Sequence, residues 1–126
     1  MIKFPEGFLF GTATSATQSE GGQTDGKASN IWDFWYKEEP YKFHNQIGPE
    51  KTSNFYFDYK ENVKLLEETG QNSYRTSISW SRLIPAMDEK VNTKAVDFYK
   101  KYFKEIKDRG IKLFINLFHF DMPMYL

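Results

Sequence analysis

The sequence predicts an α/β fold in which short strands and longer helices alternate in the order β-α-β-α-β. Three observations carry that reading. Two segments repeat apolar residues at three- and four-residue steps, the spacing of one helical face. The segments between them are short and β-prone. Each helix-like stretch runs into a glycine, Gly70 or Gly110, placed as a C-terminal stop. Strands alternating with helices of this length argue for a parallel sheet with right-handed crossovers.

The first strand is expected at Phe8 to Thr12, ending near Gly11. A long polar stretch from Ser19 to Thr52 follows, rich in Gly, Asn, Lys and Pro and holding Trp32 and Trp35. A connection this long in a compact domain is functional or disordered. The first helix is expected from Asn54 to Glu68, with Ser53 as N-cap and Phe55, Tyr59, Val63 and Leu66 on one buried face. The second strand is expected at Ser73 to Ser79, where Tyr74, Thr76 and Ile78 alternate with Arg75, Ser77 and Ser79. The second helix is expected from Thr93 to Arg109, capped by Asn92, with Val96, Tyr99, Phe103 and Ile106 as its stripe. The third strand, Lys112 to Phe118, is an almost continuous apolar run and reads as buried on both faces. No GxGxxG or Walker-type loop follows the first strand, which lowers a nucleotide-binding reading. Periodicity leaves open whether three such strands begin a closed barrel or an open doubly wound sheet.

Composition excludes several classes. Lys plus Arg and Asp plus Glu number 17 each, so the formal net charge is zero and nothing steers the chain toward nucleic acid or an anionic membrane. There is no cysteine, which rules out a disulfide framework and a thiolate metal site. Only a short apolar stretch, Phe8-Leu9-Phe10, follows the start of the chain. A secretory signal needs roughly 7–15 apolar residues and a membrane helix about 20. The expectation is a soluble cytoplasmic protein. Aromatic residues make up 18% of the chain. That suits a carbohydrate binder, because sugars bury their C–H faces on rings, and it equally suits an aromatic core.

In parallel α/β folds, sites form at the carboxyl ends of strands. Gln18 follows the first strand, and its amide can bond two adjacent sugar hydroxyls or satisfy loop backbone. Arg75 lies on the central strand, where a guanidinium needs an anion inside the fold or a structural salt bridge. His119 ends the third strand beside Asp121, as a base, ligand, donor or structural residue. His44, the other histidine, has no spacing to His119 that builds a metal site, and no cofactor is expected.

At these residues the chain resembles glycoside hydrolase family one. The likeness rests on Phe8 through Gly21, Ile31-Trp32-Asp33, Tyr74 through Pro85, Val91-Asn92, Phe98-Tyr99 and His119-Phe120-Asp121-Met122-Pro123, in order across nearly the whole chain. The resemblance implies that residues 1–126 are the N-terminal part of a single (β/α)8 barrel, its first three strands and first two helices, with a long first loop at about 19–52. A closed barrel takes roughly 250 residues. It assigns Gln18 and His119 to the hydroxyls of the non-reducing sugar. Phe120 stands where many members have Trp, keeping a ring contact without an indole donor. Arg75 matches the arginine beside the catalytic nucleophile, where a cation holds the carboxylate ionised. Glu20 and Asp121 look structural in this family rather than catalytic. The two catalytic glutamates of the family, acid/base and nucleophile, fall beyond Leu126.

The implied activity is retaining β-glycoside hydrolysis. Phe120, together with the run from Phe43 to Glu50, is similar to bacterial 6-phospho-β-glucosidases, so the expected ligand is a 6-phosphorylated β-glucoside. An unphosphorylated β-glucosidase, a 6-phospho-β-galactosidase and a non-catalytic sugar-binding module are the alternatives. The run Phe114-Ile115-Asn116-Leu117-Phe118 carries neither charge nor proline to blunt an edge, which favours part of a barrel over an independent module. The 126-residue chain alone is expected to release no p-nitrophenol from p-nitrophenyl β-glucoside, and measurable turnover by the purified chain would contradict this.

Overall fold

The computed structural model describes residues 3–88 and 90–126. Its elements, in order, are strand β1 (Gly11–Ala13), a short helix α1 (Ala16–Ser19), helix α2 (Ile31–Glu38), helix α3 (Phe55–Glu68), strand β2 (Ser73–Ser77), a short helix α4 (Trp80–Leu83), helix α5 (Thr93–Asp108) and strand β3 (Lys112–Asn116). The three strands form one sheet in the order β1-β2-β3. Both pairings are parallel, with Ala13 opposite Arg75 and Arg75 opposite Phe114. All three therefore run out in the same direction, and the segments after Ala13, Ser77 and Asn116 meet at one end of the sheet.

The two long helices form where the apolar stripes place them, although in α5 Val96 and Phe103 are only half-buried and Phe98 and Tyr102 take the core positions. Phe55, Val63 and Leu66 of α3 are buried with Phe98, Tyr99, Tyr102 and Ile106 of α5, and Tyr74 of β2 completes the cluster with Ile111. Tyr74 stacks on Phe55 and packs near Tyr102, whose hydroxyl donates to the Tyr74 hydroxyl at 3.3 Å. Each such side chain contributes about 1.5–3 kcal/mol when fully buried. Strand alternation places Arg75 on the opposite face from Tyr74. The α5 N-cap is Asn92, whose side chain accepts from the Lys94 N–H. The α3 N-cap differs from expectation. It is Asn54, in the left-handed region at φ 54° and without a side-chain cap bond, rather than Ser53.

One further expectation is corrected. The third strand is not buried on both faces: in β3 and just beyond it, Phe114, Ile115, Leu117 and Phe118 are all exposed, because β3 is an edge of an open three-stranded sheet. The long first loop at 19–52 contains α2 and two short 3-10 turns, Pro40–Lys42 and His44–Gln46. Helix α2 starts with a reciprocal cap. The Asn30 side chain accepts from the Trp32 and Asp33 N–H groups, and the Asp33 carboxylate accepts from the Asn30 N–H.

The strand ends are joined by a buried polar cluster. Arg82 of α4 is fully buried and pairs with Glu20, Nε to Oε2 at 2.9 Å. Its Nη2 donates to the Gly21 and Gly22 carbonyls at 2.9 and 3.0 Å. Those carbonyls reach it because both glycines sit in the left-handed region, at φ 60° and 59°. The guanidinium lies 3.9 Å from the centre of the Tyr56 ring of α3. The Tyr99 hydroxyl of α5 donates to Glu20 at 2.7 Å and accepts from the Ser79 N–H at 2.8 Å. Burial pushes the Glu20 carboxyl above its ordinary range, against the pull of Arg82 and Tyr99, and raises the Tyr99 hydroxyl well above its own.

Removing one member of such a pair strands the other in a dry interior. Arg82→Met is expected to lower stability by about 3–5 kcal/mol. Glu20→Leu combined with Arg82→Met is expected to cost less than Arg82→Met alone, because no orphaned carboxyl remains. Urea midpoints of the parent, single and double variants measure both effects. A loss under about 1 kcal/mol in the single variant would contradict the assignment. Asn30→Ala removes the α2 cap and is expected to cost about 0.5–2 kcal/mol in the same assay.

Candidate active site

The segments after β1 and β3 and the loop around α2 enclose a cleft of about 470 Å³. Gln18, His119 and Phe120 line it together, with Ser15 and Thr17 beside Gln18. Its other wall comes from the long first loop, as Trp32, Phe43, Ile47, Pro49 and Thr52. The size falls in the range of small-molecule sites.

Gln18 reaches the cleft because α1 is fixed to the neighbouring strand, the Ala16 N–H donating to the Ser77 hydroxyl at 2.8 Å. The Ser15 hydroxyl donates to the Gln18 amide oxygen at 2.8 Å. This orients the amide and leaves its NH2 as a donor on an exposed side chain. His119 follows the end of β3. The Asn116 side-chain amide lies 3.3 Å from His119 Nδ1, within hydrogen-bond reach, which orients the ring. The cleft thus offers amide and imidazole N–H donors beside aromatic faces, a combination that binds hydroxyl oxygens and C–H faces of a polar ring.

The loop after β3 is fastened to the start of α2. The Ile31 N–H donates to the Met122 carbonyl and the Met124 N–H to the Ser29 carbonyl, both at 3.0 Å, and Asn30 bridges Pro123. Trp32 Nε1 donates to the Phe120 carbonyl at 2.8 Å. Phe120 has φ 62°, the left-handed region that a bulky residue rarely occupies. Asp121 lies beneath it, buried, and accepts from the His119 N–H at 3.4 Å. Burial raises its carboxyl above the ordinary range. Neither Asp121 nor Glu20 lines the cleft.

Arg75 is not among the cleft-lining residues. It is half-buried, and its Nη1 donates to the Thr14 carbonyl at 2.9 Å. Among the described residues no carboxylate pairs with it, whereas Arg82 pairs with Glu20 and Arg109 with both Glu67 and Glu105. Arg75 thus has no anion among the described residues, and the fully buried arginine is Arg82. Sequence reading missed that Phe43, Ile47 and Pro49 form a wall. Their signal was an aromatic and apolar scatter inside an otherwise polar loop. The wall needs Gly48: a Cβ there would lie 2.4 Å from the Tyr36 ring.

Among the described residues no group of three or more His, Cys, Asp or Glu could hold a metal ion, and no helix is long and apolar enough to cross a membrane.

Comparison with known proteins places this geometry. The model of glycosyl hydrolase family 1 matches residues 1–126. The chain is 52% identical over 125 residues to 6-phospho-beta-glucosidase GmuD of Bacillus subtilis, covering 98% of this chain and 27% of that protein. It is 46% identical to Beta-glucosidase 3 of Arabidopsis thaliana, again over 98% of this chain and 24% of the relative. A Thermotoga maritima beta-glucosidase, solved in complex with a substituted glucoimidazole, superposes with a TM-score of 0.90 at 35% identity, covering 98% of this chain and 28% of that one. The chain thus spans about a quarter of the length of the relatives it matches. Its solved neighbours are (β/α)8-barrel enzymes, and β1, β2 and β3 correspond to the opening strands of that barrel. The chain belongs to glycosyl hydrolase family 1.

Proposed function

We propose that this chain supplies the sugar-holding quarter of a retaining β-glycosidase that cleaves 6-phosphorylated β-glucosides. The observation that carries the reading is the meeting of Gln18 and His119 in one aromatic-walled cleft, although they leave strands β1 and β3. Their N–H donors address hydroxyls of the non-reducing sugar, and the rings of Trp32 and Phe120 flank them. In this reading Arg75, which has no carboxylate partner among the described residues, stands beside the nucleophile and holds it ionised.

The chemistry needs two carboxyl groups roughly 5–5.5 Å apart when configuration is retained. One protonates the leaving oxygen, and the other forms a covalent glycosyl intermediate that water then resolves. By family likeness both are glutamates outside these 126 residues. What this chain contributes is binding and orientation of the sugar.

The phosphorylated substrate is supported by the Bacillus relative, named as a 6-phospho-beta-glucosidase, and by Phe120. The run from Phe43 to Glu50 that carries part of the likeness also furnishes Phe43, Ile47, Gly48 and Pro49 to the cleft. A second reading, hydrolysis of free β-glucosides, is favoured by the 46% identity to an Arabidopsis beta-glucosidase.

Two measurements test these readings. NMR titration of the chain with methyl β-D-glucopyranoside is expected to move the His119 ring and Gln18 amide signals. Gln18→Ala is expected to weaken that binding about tenfold, the loss of one good hydrogen bond. Unmoved signals would remove the sugar-site reading. For the phosphate, a complete barrel carrying these residues as its first quarter is assayed on p-nitrophenyl β-glucoside 6-phosphate and on the free glucoside. Preference for the phosphorylated substrate, reduced by Phe120→Trp, is the expected result. Faster cleavage of the free glucoside establishes the second reading instead.

A further inference from the structure

His119 and Phe120 reach the cleft through a backbone that does not favour its own conformation. Phe120 is two-thirds exposed, at 67%, so no surrounding core holds its ring in place. Its φ of 62° is nevertheless left-handed, where a Cβ crowds the carbonyl oxygen. Conformations of this kind persist only when neighbouring groups over-determine them. The direct tie on the Phe120 peptide is the Trp32 indole, whose Nε1 donates to the Phe120 carbonyl at 2.8 Å across 88 residues of sequence. Trp32 itself is held. It lies in the first turn of α2, behind the buried Asn30 cap, and Ile31 and Ser29 bond to Met122 and Met124. The His119 N–H bond to Asp121 is long, at 3.4 Å, and constrains the turn less.

We infer that Trp32 is a positioning residue of the cleft: its indole N–H holds the Phe120 carbonyl and so keeps the His119–Phe120 turn in the left-handed form that presents both side chains to the ligand. The inference deepens the sugar-site reading and rests on it for the identity of the ligand. The indole also lines the cleft, so ring and N–H have separable duties. The N–H acts through the Phe120 backbone, and the ring acts by contact.

The separation is testable because glycine adopts the left-handed region without penalty. With Phe120→Gly in place, the turn no longer needs the indole. The experiment is a double-mutant cycle of Trp32→Phe and Phe120→Gly on the chain, read by NMR. Without sugar, Trp32→Phe is expected to move the backbone signals of residue 120 and the ring signals of His119 in the parent background. In the Phe120→Gly background it is expected to leave the His119 signals in place. With methyl β-D-glucopyranoside, Trp32→Phe is expected to raise Kd about tenfold in the parent and less than about twofold beside Phe120→Gly.

A purely structural role for Trp32 gives the same loss in both backgrounds, and that result overturns the inference. So does an unmoved residue-120 signal in Trp32→Phe. Should Trp32→Phe disturb the core signals of Val63 or Ile106, benzothienylalanine at position 32 keeps the ring size without the N–H and carries the same expectations. If the parent binds no glucoside, the sugar reading falls by itself, and the sugar-free signals still decide whether Trp32 positions the turn.

Discussion

The ion pair between Glu20 and Arg82 is the constraint on which the arrangement of the strand ends depends. One guanidinium holds a carboxylate and two loop carbonyls and lies over the Tyr56 ring, while the same carboxylate takes the Tyr99 hydroxyl. Four segments of different origin, the loop after β1, α3, α4 and α5, therefore share one buried centre. Charges in such a place gain little over a well-packed apolar core, because desolvation offsets the attraction. Their use here is directional. An apolar cluster tolerates sliding, whereas a fork of N–H donors requires each acceptor at a definite point. The chain leaving β1 is thereby set in one position, and Gln18 is set with it.

Much of the framework was legible in the sequence. The stripes Phe55, Val63, Leu66 and Tyr99, Ile106 fix both long helices, because three- and four-residue repeats report directly on burial. Gly70 and Gly110 end those helices with φ of 72° each, as a C-terminal glycine does. The β3 segment misled. An apolar run reads as a strand covered on both faces, but burial belongs to the neighbours and not to the run itself. Here one neighbour is β2 and the other side is open. The inner helix of the long loop was missed for a different reason. At eight residues, α2 is too short for its periodicity to stand out, and its plainest signal was the cap pair Asn30 and Asp33.

The cleft was legible only in part. Gln18 and His119 could be singled out because strand ends in parallel sheets gather functional groups, and their positions follow from counting along the strands. The wall of Phe43, Ile47 and Pro49 could not, since a loop carries no periodicity that says which way it folds back. Arginine shows the same division. Sequence alone marks a guanidinium on a strand as needing an anion, and Arg75 drew that attention. The residue that is wholly enclosed and ion-paired is Arg82, in a four-residue helix. Nothing local distinguishes the two. The difference is made by Glu20, 62 positions away in the chain.

The antiparallel bridge between Asn30 and Pro123 bears on the order in which the molecule comes together. The helices α3 and α5 and the strands beside them lie close in sequence and can collapse early. The Trp32 contact spans 88 residues, so that flank of the cleft gains its anchor only after β3 and the turn beyond it have been made. Until Phe120 is in place, the two long helices have their packing while the cleft lacks one wall. The cleft therefore forms later than the α3–α5 helix pair, because its closing contact joins residues far more distant in the chain.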